Sequence, residues 1–91
     1  MGYRTIKLEK DFFLRHKYGQ LLKRLTKEDK YIELDMINIH FMSSMGIDMA
    51  VNLYWILFKR EGKLKIINVR RNVLNVFLLT NIQNIINITP L

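Results

Sequence analysis

The stretch from Tyr31 to Gly46, YIELDMINIHFMSSMG, predicts a strand that leads directly into a helix. Strand-type residues, partly alternating with polar ones, continue to Ile39, as is typical of a mostly buried strand. Ser43 and Ser44 then offer hydroxyl caps to the helix that Gly46 and Ile47 begin. In an α/β sheet, such a helix N-terminus favours negative charge and is often where ligands or partners bind. We therefore place the candidate site at this junction, with a plain capped helix as the alternative.

Length and composition indicate a single domain, residues 1–91, with a radius of gyration of about 12 Å. The chain has no cysteine, which excludes disulfides, thiolate metal sites and a cysteine nucleophile. Charges throughout the first residues argue against a secretion signal. Phe41 to Phe58 is apolar, but Asp48 near its centre would cost about 2.5 to 3.5 kcal/mol in a membrane. We expect a cytoplasmic protein with no membrane partner.

The net charge of +7 would suit a nucleic acid, an anionic membrane or an acidic protein. The lysines and arginines are spread over the predicted first strand, the first helix and the later element ends, as on a solvated surface. No nucleic-acid-binding motif is present. We expect no specific nucleic-acid partner, and electrostatic binding to nucleic acid or an anionic membrane is the alternative from another functional class.

Alternating strand and helix patterns predict an α/β fold of order β-α-β-α-β-α-β, with helices packed against a small mixed sheet that has parallel neighbours. The predicted strands are Tyr3 to Leu8, Tyr31 to Ile39, Leu64 to Val69 and Ile85 to Ile88. The predicted helices are Phe12 to Thr26 capped by Asp11, Ile47 to Arg60 ended by a left-handed Gly62, and Arg71 to Leu79. The helical core positions are expected to include Leu14, Leu21, Val51 and Phe58.

From Tyr31 to Ile88 the chain resembles the STAS domain of the bacterial anti-sigma factor antagonists. That family has a strand ending in Asp-Ser-Ser-Gly, an apolar helix, a Gly-Gly turn, a strand, a short helix and a Leu-Thr-Gly-Leu segment. The matching segments here are LDMINIHFMSSMG, IDMAVNLYWILFKREGK, LKIINV, RRNVLNVF and LLTNIQNIINI. The resemblance implies a STAS-like domain that regulates transcription by binding a protein partner, such as an anti-sigma factor that is also a serine kinase.

The chain departs from the family pattern at its regulatory position. In the family, the serine immediately before the glycine is phosphorylated, and Met45 occupies that position here. Ser43 replaces the family's aspartate, Ser44 matches its first serine, and Asp35 matches the Asp of the preceding strand. The family's N-terminal Gly-x-Leu-Asp signature is not visible, so we expect an N-terminally trimmed domain. The resemblance thus implies binding without the usual serine phosphoswitch.

Ser44 is the alternative phosphate acceptor. It lies one residue, or about 100° of helix, from the family position. We favour the interpretation that its hydroxyl caps the helix.

Helical spacing places Asp48, Asn52, Trp55 and Lys59 on one face, which its polar members mark as the solvent side. Trp55 is then either a partner anchor or a ring lying flat at the rim of its own core. We predict a partner-binding surface within the turn and helix face from Phe41 to Asn52 and on to Trp55, to which Met45 and Met49 add adaptable apolar area. Its residues are Met42, Ser43, Ser44, Met45, Asp48, Met49, Asn52 and Trp55.

We expect no catalytic site, cofactor, metal or small-molecule substrate. His16 and His40 have no second ligand at metal spacing, and no Ser/His/Asp set or carboxylate pair can be assembled. The rival function within the same fold is a STAS module docked on another cytoplasmic machine, such as the ATPase of a transporter. The sequence indicates no oligomeric state.

Overall fold

The computed structural model describes residues 2–15 and 17–91. Its strands are β1 (Arg4–Lys7), β2 (Tyr31–Asp35), β3 (Lys63–Val69) and β4 (Asn87–Pro90). Its α-helices are α1 (Tyr18–Arg24), α2 (Ser44–Lys59) and α3 (Arg71–Leu79), and a 3-10 turn (Ile82–Asn84) precedes β4. The predicted α/β order is confirmed, and α3 has the predicted bounds. None of the described helices is long and apolar enough to cross a membrane.

The four strands lie side by side in chain order, and every neighbouring pair is parallel. The sheet is therefore parallel rather than mixed. Its register aligns Ile6, Leu34, Ile66 and Ile88 in one row across the sheet. Because spatial order follows chain order, right-handed crossovers bring the helices to the same face.

The core lies between that sheet face and the helices. Buried there are Ile6, Leu34, Ile66, Ala50, Leu53, Leu57, Val73 and Phe77, and Leu21 is buried as predicted. The predictions for Leu14 and Phe58 are wrong, since their side chains are 83% and 55% exposed. Leu57, one residue before Phe58, takes the core position on α2, and Val51 is only half-buried.

The first helix is shorter than predicted and has a different start. Residues 10–15 form turns, so the predicted helical stripe through Leu14 does not exist there. Asp11 does not cap α1. Its carboxylate pairs instead with Arg15 at 2.9 Å and Lys17 at 3.1 Å, and Lys17 also pairs with Glu9. The hydrogen bond from Lys17 is the main cause that lowers the pKa of Asp11.

The end of β2, the turn after α2 and the start of β4 also differ from the prediction. β2 ends at Asp35 rather than at Ile39. At this end, Oδ1 of Asp35 accepts hydrogen bonds from the Ile37 amide at 3.0 Å and from the Asn68 side chain at 3.1 Å. After α2, Glu61 rather than Gly62 has the positive φ, 60°. β4 begins at Asn87 rather than Ile85, because Ile85 and Ile86 form a turn and a bend after the 3-10 turn.

Candidate functional site

The loop between β2 and α2 lies at the carboxyl end of the parallel sheet, as predicted for the candidate site. Two side chains at the start of α3 donate hydrogen bonds to the backbone of this loop. Arg70 Nε donates to the Ile37 carbonyl at 2.9 Å, and the Asn72 amide donates to the His40 carbonyl. Together with the two hydrogen bonds to Asp35, these contacts connect the turn that precedes α2 to β2, to β3 and to the start of α3.

Ser43 caps α2. Its backbone is extended, with φ −91° and ψ 178°, and its Oγ accepts from the Met45 amide at 3.3 Å. Ser44 is the first helical residue, so α2 begins three residues before the predicted Ile47. The interpretation of Ser44 as a cap is wrong. Its side chain is exposed, and the hydroxyl makes no hydrogen bond within the described residues.

The two methionines on either side of the serines are placed differently. Met42 lies across the first turn of α2, where a Cβ on Gly46 would be only 2.2 Å from Met42 Cγ. Met42 is consequently half-buried and packs against the core. Met45 is 53% exposed. The helix start therefore presents Met45 to solvent and folds Met42 over Gly46.

The helix face predicted from spacing is on the surface. Asp48, Asn52 and Lys59 are exposed, and Trp55 is 48% exposed. Met49 is only 5% exposed, so it adds little area to this face, but it lines the groove between α1 and α2. One residue after Asp48, it is turned by about 100° around the helix and packs in the core cluster.

Two grooves flank the N-terminus of α2. The α1–α2 groove, of about 380 Å³, has walls of Phe12, Phe13, Tyr18 and Met45 and a rim that includes Lys17, Asp48 and Asn52. The Tyr18 hydroxyl is buried with no hydrogen-bond partner in the described part of the chain, and burial raises its pKa.

The second groove, the Phe41 groove, has a volume of about 530 Å³ and lies between Leu14, Phe41 and Val76. Leu14 and Phe41 are each 83% exposed. Sequence reasoning missed Leu14 as a surface residue of the site, and it included Phe41 only as the first residue of the predicted turn without naming it among the binding residues. Leu14 was assigned to a helical stripe, and Phe41 lies in a loop that has no periodic signal.

The arrangement offers apolar contact area together with a few hydrogen-bonding groups, which are the components of a protein-binding surface. Among residues 2–15 and 17–91, no group of three His, Cys, Asp or Glu side chains is placed to hold a metal ion. His40 is exposed, and the interpretation of His16 lies outside the described residues.

Comparison with known proteins agrees with this geometry. The model of the STAS domain family matches residues 10–90, which is most of the chain. No curated protein matches the sequence of this chain. STAS domains are in general non-enzymatic modules that mediate regulation and protein–protein interaction. The match extends through β2, α2, β3, α3 and β4, the elements that build the candidate site. This chain belongs to the STAS domain family.

Proposed function

We propose that this STAS domain regulates a protein partner by binding it through the turn before α2 and the exposed face of α2 as far as Trp55. The observation that carries the proposal is the exposed apolar area made by Leu14, Phe41, Met45 and Trp55 around this turn and along this face. The proposed partner-binding residues are Leu14, Phe41, Met42, Ser43, Ser44, Met45, Asp48, Met49, Asn52 and Trp55.

Helix geometry supports one continuous contact face. Successive residues of an α-helix are rotated by about 100°, so Met45, Asp48, Asn52 and Trp55 lie within a sector of about 80°. A partner resting on this sector meets a methionine and a tryptophan with polar groups between them. Large aromatic side chains of this kind supply much of the binding energy in protein interfaces.

Constitutive binding follows from the chemistry of residue 45. A phosphoserine carries a charge of about −1.5 to −2, which disrupts an apolar interface by desolvation and repulsion. Met45 has no hydroxyl to accept phosphate. Ser44 has one, but it projects about 100° around the helix from the position of Met45. We propose that neither residue carries a phosphate and that the partner is not released in this way.

We further propose that the partner is an anti-sigma factor of the serine-kinase type in a bacterial cytoplasm, and that the domain thereby acts in transcription regulation. The family match and the motif order around Met45 support this choice. Neighbouring genes test it directly. A kinase-like anti-sigma gene and a sigma-factor gene alongside are the expected result, and transporter genes alongside would favour docking on a transporter ATPase.

Calorimetric titration with that anti-sigma factor tests the surface itself. Trp55→Ala should weaken binding by more than about 1 kcal/mol, or about fivefold in Kd. Leu79→Ala is the matched control, because Leu79 is an exposed apolar residue at the end of α3. An apolar interface should also tolerate salt, whereas nucleic-acid affinity falls steeply with it. Equal affinities of the Trp55 and Leu79 variants would contradict the proposed surface.

A further inference from the structure

The C-terminal end of α2 carries a packed aromatic cluster that the site described above uses only through Trp55. The ring centroids of Tyr54, Trp55 and Phe58 are 5.3 to 5.8 Å apart. Beside this cluster is a groove of about 550 Å³, here called the Phe58 groove. Its walls include Tyr54 and Phe58 from α2 and Tyr3, Lys63, Lys65 and Ile85 from the sheet side.

The rim of the Phe58 groove is positively charged. Lys65 Nζ lies 4.3 Å from the ring centroid of Tyr3, a cation–π contact that keeps the ammonium at the groove without neutralising it. No carboxylate of the described residues lies within ion-pair distance of Lys63 or Lys65. The acidic residues near these lysines are Glu61 in sequence and Glu33, which lies opposite Lys65 on β2 and accepts a hydrogen bond from the Thr5 hydroxyl at 2.9 Å. The groove thus combines apolar walls with two lysines that make no ion pair within the described residues, which favours an anionic occupant.

The shape and packing of the groove select among anionic occupants. Bases of single-stranded nucleic acid need open ring faces for stacking. Here the Trp55 ring makes edge-to-face contacts with Tyr54 and Phe58, at interplanar angles of 71° and 80°. Lys65 Nζ lies over the Tyr3 ring. A membrane surface would meet protruding side chains rather than fill a groove. A second copy of this chain carries the same charge of +7 and is repelled. A volume of about 550 Å³ suits inserted side chains.

We propose that the Phe58 groove binds an acidic segment of a partner protein, with an aliphatic or aromatic side chain in the groove and carboxylates at Lys63 and Lys65. Phe58 lies thirteen positions after Met45 on α2, about 20 Å along the axis. This is therefore a second contact region beyond the N-terminal end of α2. The inference rests on the proposed function only in taking the partner to be a protein.

Fluorescence anisotropy with two labelled synthetic peptides tests the inference. One peptide alternates Glu with Leu and Phe, and the other has Lys in place of every Glu. The acidic peptide should bind at least about tenfold more tightly than the basic one, and Lys63→Glu/Lys65→Glu should remove about tenfold of that affinity. Lys23→Glu/Lys27→Glu is the matched control, with the same charge change on exposed residues distant in sequence, and should stay within about twofold.

Circular dichroism should show native folding for both double variants, and the milder Lys65→Gln should weaken binding in the same direction. Equal loss in the two double variants would overturn the proposal, because net charge alone would explain it. Tighter binding of a thymidine oligonucleotide or of phosphatidylglycerol vesicles than of the acidic peptide would also overturn it. Met45→Ser should leave peptide binding unchanged, so failure here is distinguishable from failure of the proposed function.

Discussion

Replacing Gly46 by Ala tests how the first turn of α2 is built. Gly46 is buried, and a Cβ there would lie 2.2 Å from Met42 Cγ, 2.5 Å from Met42 Sδ and 3.2 Å from Phe13 Cε1. Real Cβ atoms essentially never approach other atoms closer than 3.0 Å, so the Met42 side chain has to move. The φ of Gly46 is not positive, so Ala itself is tolerated by the backbone.

Two opposing terms set the size of the effect. Ala in place of Gly stabilises a helix by about 0.5 to 1 kcal/mol. Full burial of a Met side chain contributes about 1.5 to 3 kcal/mol, so displacing the half-buried Met42 should cost about 1 to 1.5 kcal/mol. Gly46→Ala should therefore lower the free energy of unfolding by up to about 1 kcal/mol. In a Met42→Ala background, where no side chain is displaced, the same change should raise it by about 0.5 to 1 kcal/mol.

Urea unfolding of the four proteins in this double-mutant cycle, followed by far-ultraviolet circular dichroism, measures the coupling between Gly46 and Met42. The expected coupling is about 1 to 1.5 kcal/mol, with a reversal of sign between the two backgrounds. An equal effect of Gly46→Ala in both backgrounds would refute the reasoning, because Met42 would then not lie over the helix start.

Leu21→Ala should lower the free energy of unfolding by about 2 to 5 kcal/mol because Leu21 is buried, whereas Leu14→Ala should change it by less than about 0.5 kcal/mol; similar losses in urea unfolding would contradict the assigned core. Gly62→Ala should destabilise by about 1 to 3 kcal/mol or more, because its Cβ would lie 1.9 Å from the Lys30 carbonyl oxygen, and a wild-type melting temperature would disprove that close approach. The Thr26 amide and Arg4 lower the pKa of Asp29, so this carboxylate stabilises the fold at neutral pH and loses that contribution as pH falls below its ordinary value of 3.8. Asp29→Asn should accordingly be less stable than wild type near neutrality and equal to it in strong acid, and a pH-independent difference in urea midpoints would contradict this.

Long periodic segments were predictable from the sequence. The bounds of α3 agree with the structure, and the spacing of Asp48, Asn52 and Trp55 located the exposed face of α2. Both results follow from the 3.6-residue period, which depends on local sequence alone.

Features that depend on tertiary contacts were not predictable in the same way. The ion pairs of Asp11 with Arg15 and Lys17 accompany a turn where apolar spacing favoured a helix, and Leu14 is exposed as a result. Gly62 is required by the nearby Lys30 carbonyl rather than by its own φ.

The candidate site was also predictable only where it depends on local sequence. Its position after β2 followed from the strand-to-helix pattern. The exposure of its side chains did not follow from that pattern, since Met42 packs over Gly46 and Met49 is buried, whereas Phe41 is exposed. Spacing along one helix cannot report how a neighbouring loop packs against it.

The central claim is a partner-binding turn without a phosphoswitch, and phosphate mapping tests it most directly. Peptide mass spectrometry of the chain isolated from its own cells should find no phosphate between Phe41 and Gly46. Incubation with ATP and an anti-sigma factor of the serine-kinase type should leave the native chain unmodified, while Met45→Ser should gain phosphate at a helix start that stabilises it by up to about 2 kcal/mol. Stoichiometric phosphate on native Ser44 would contradict the account and place a working switch one residue before Met45.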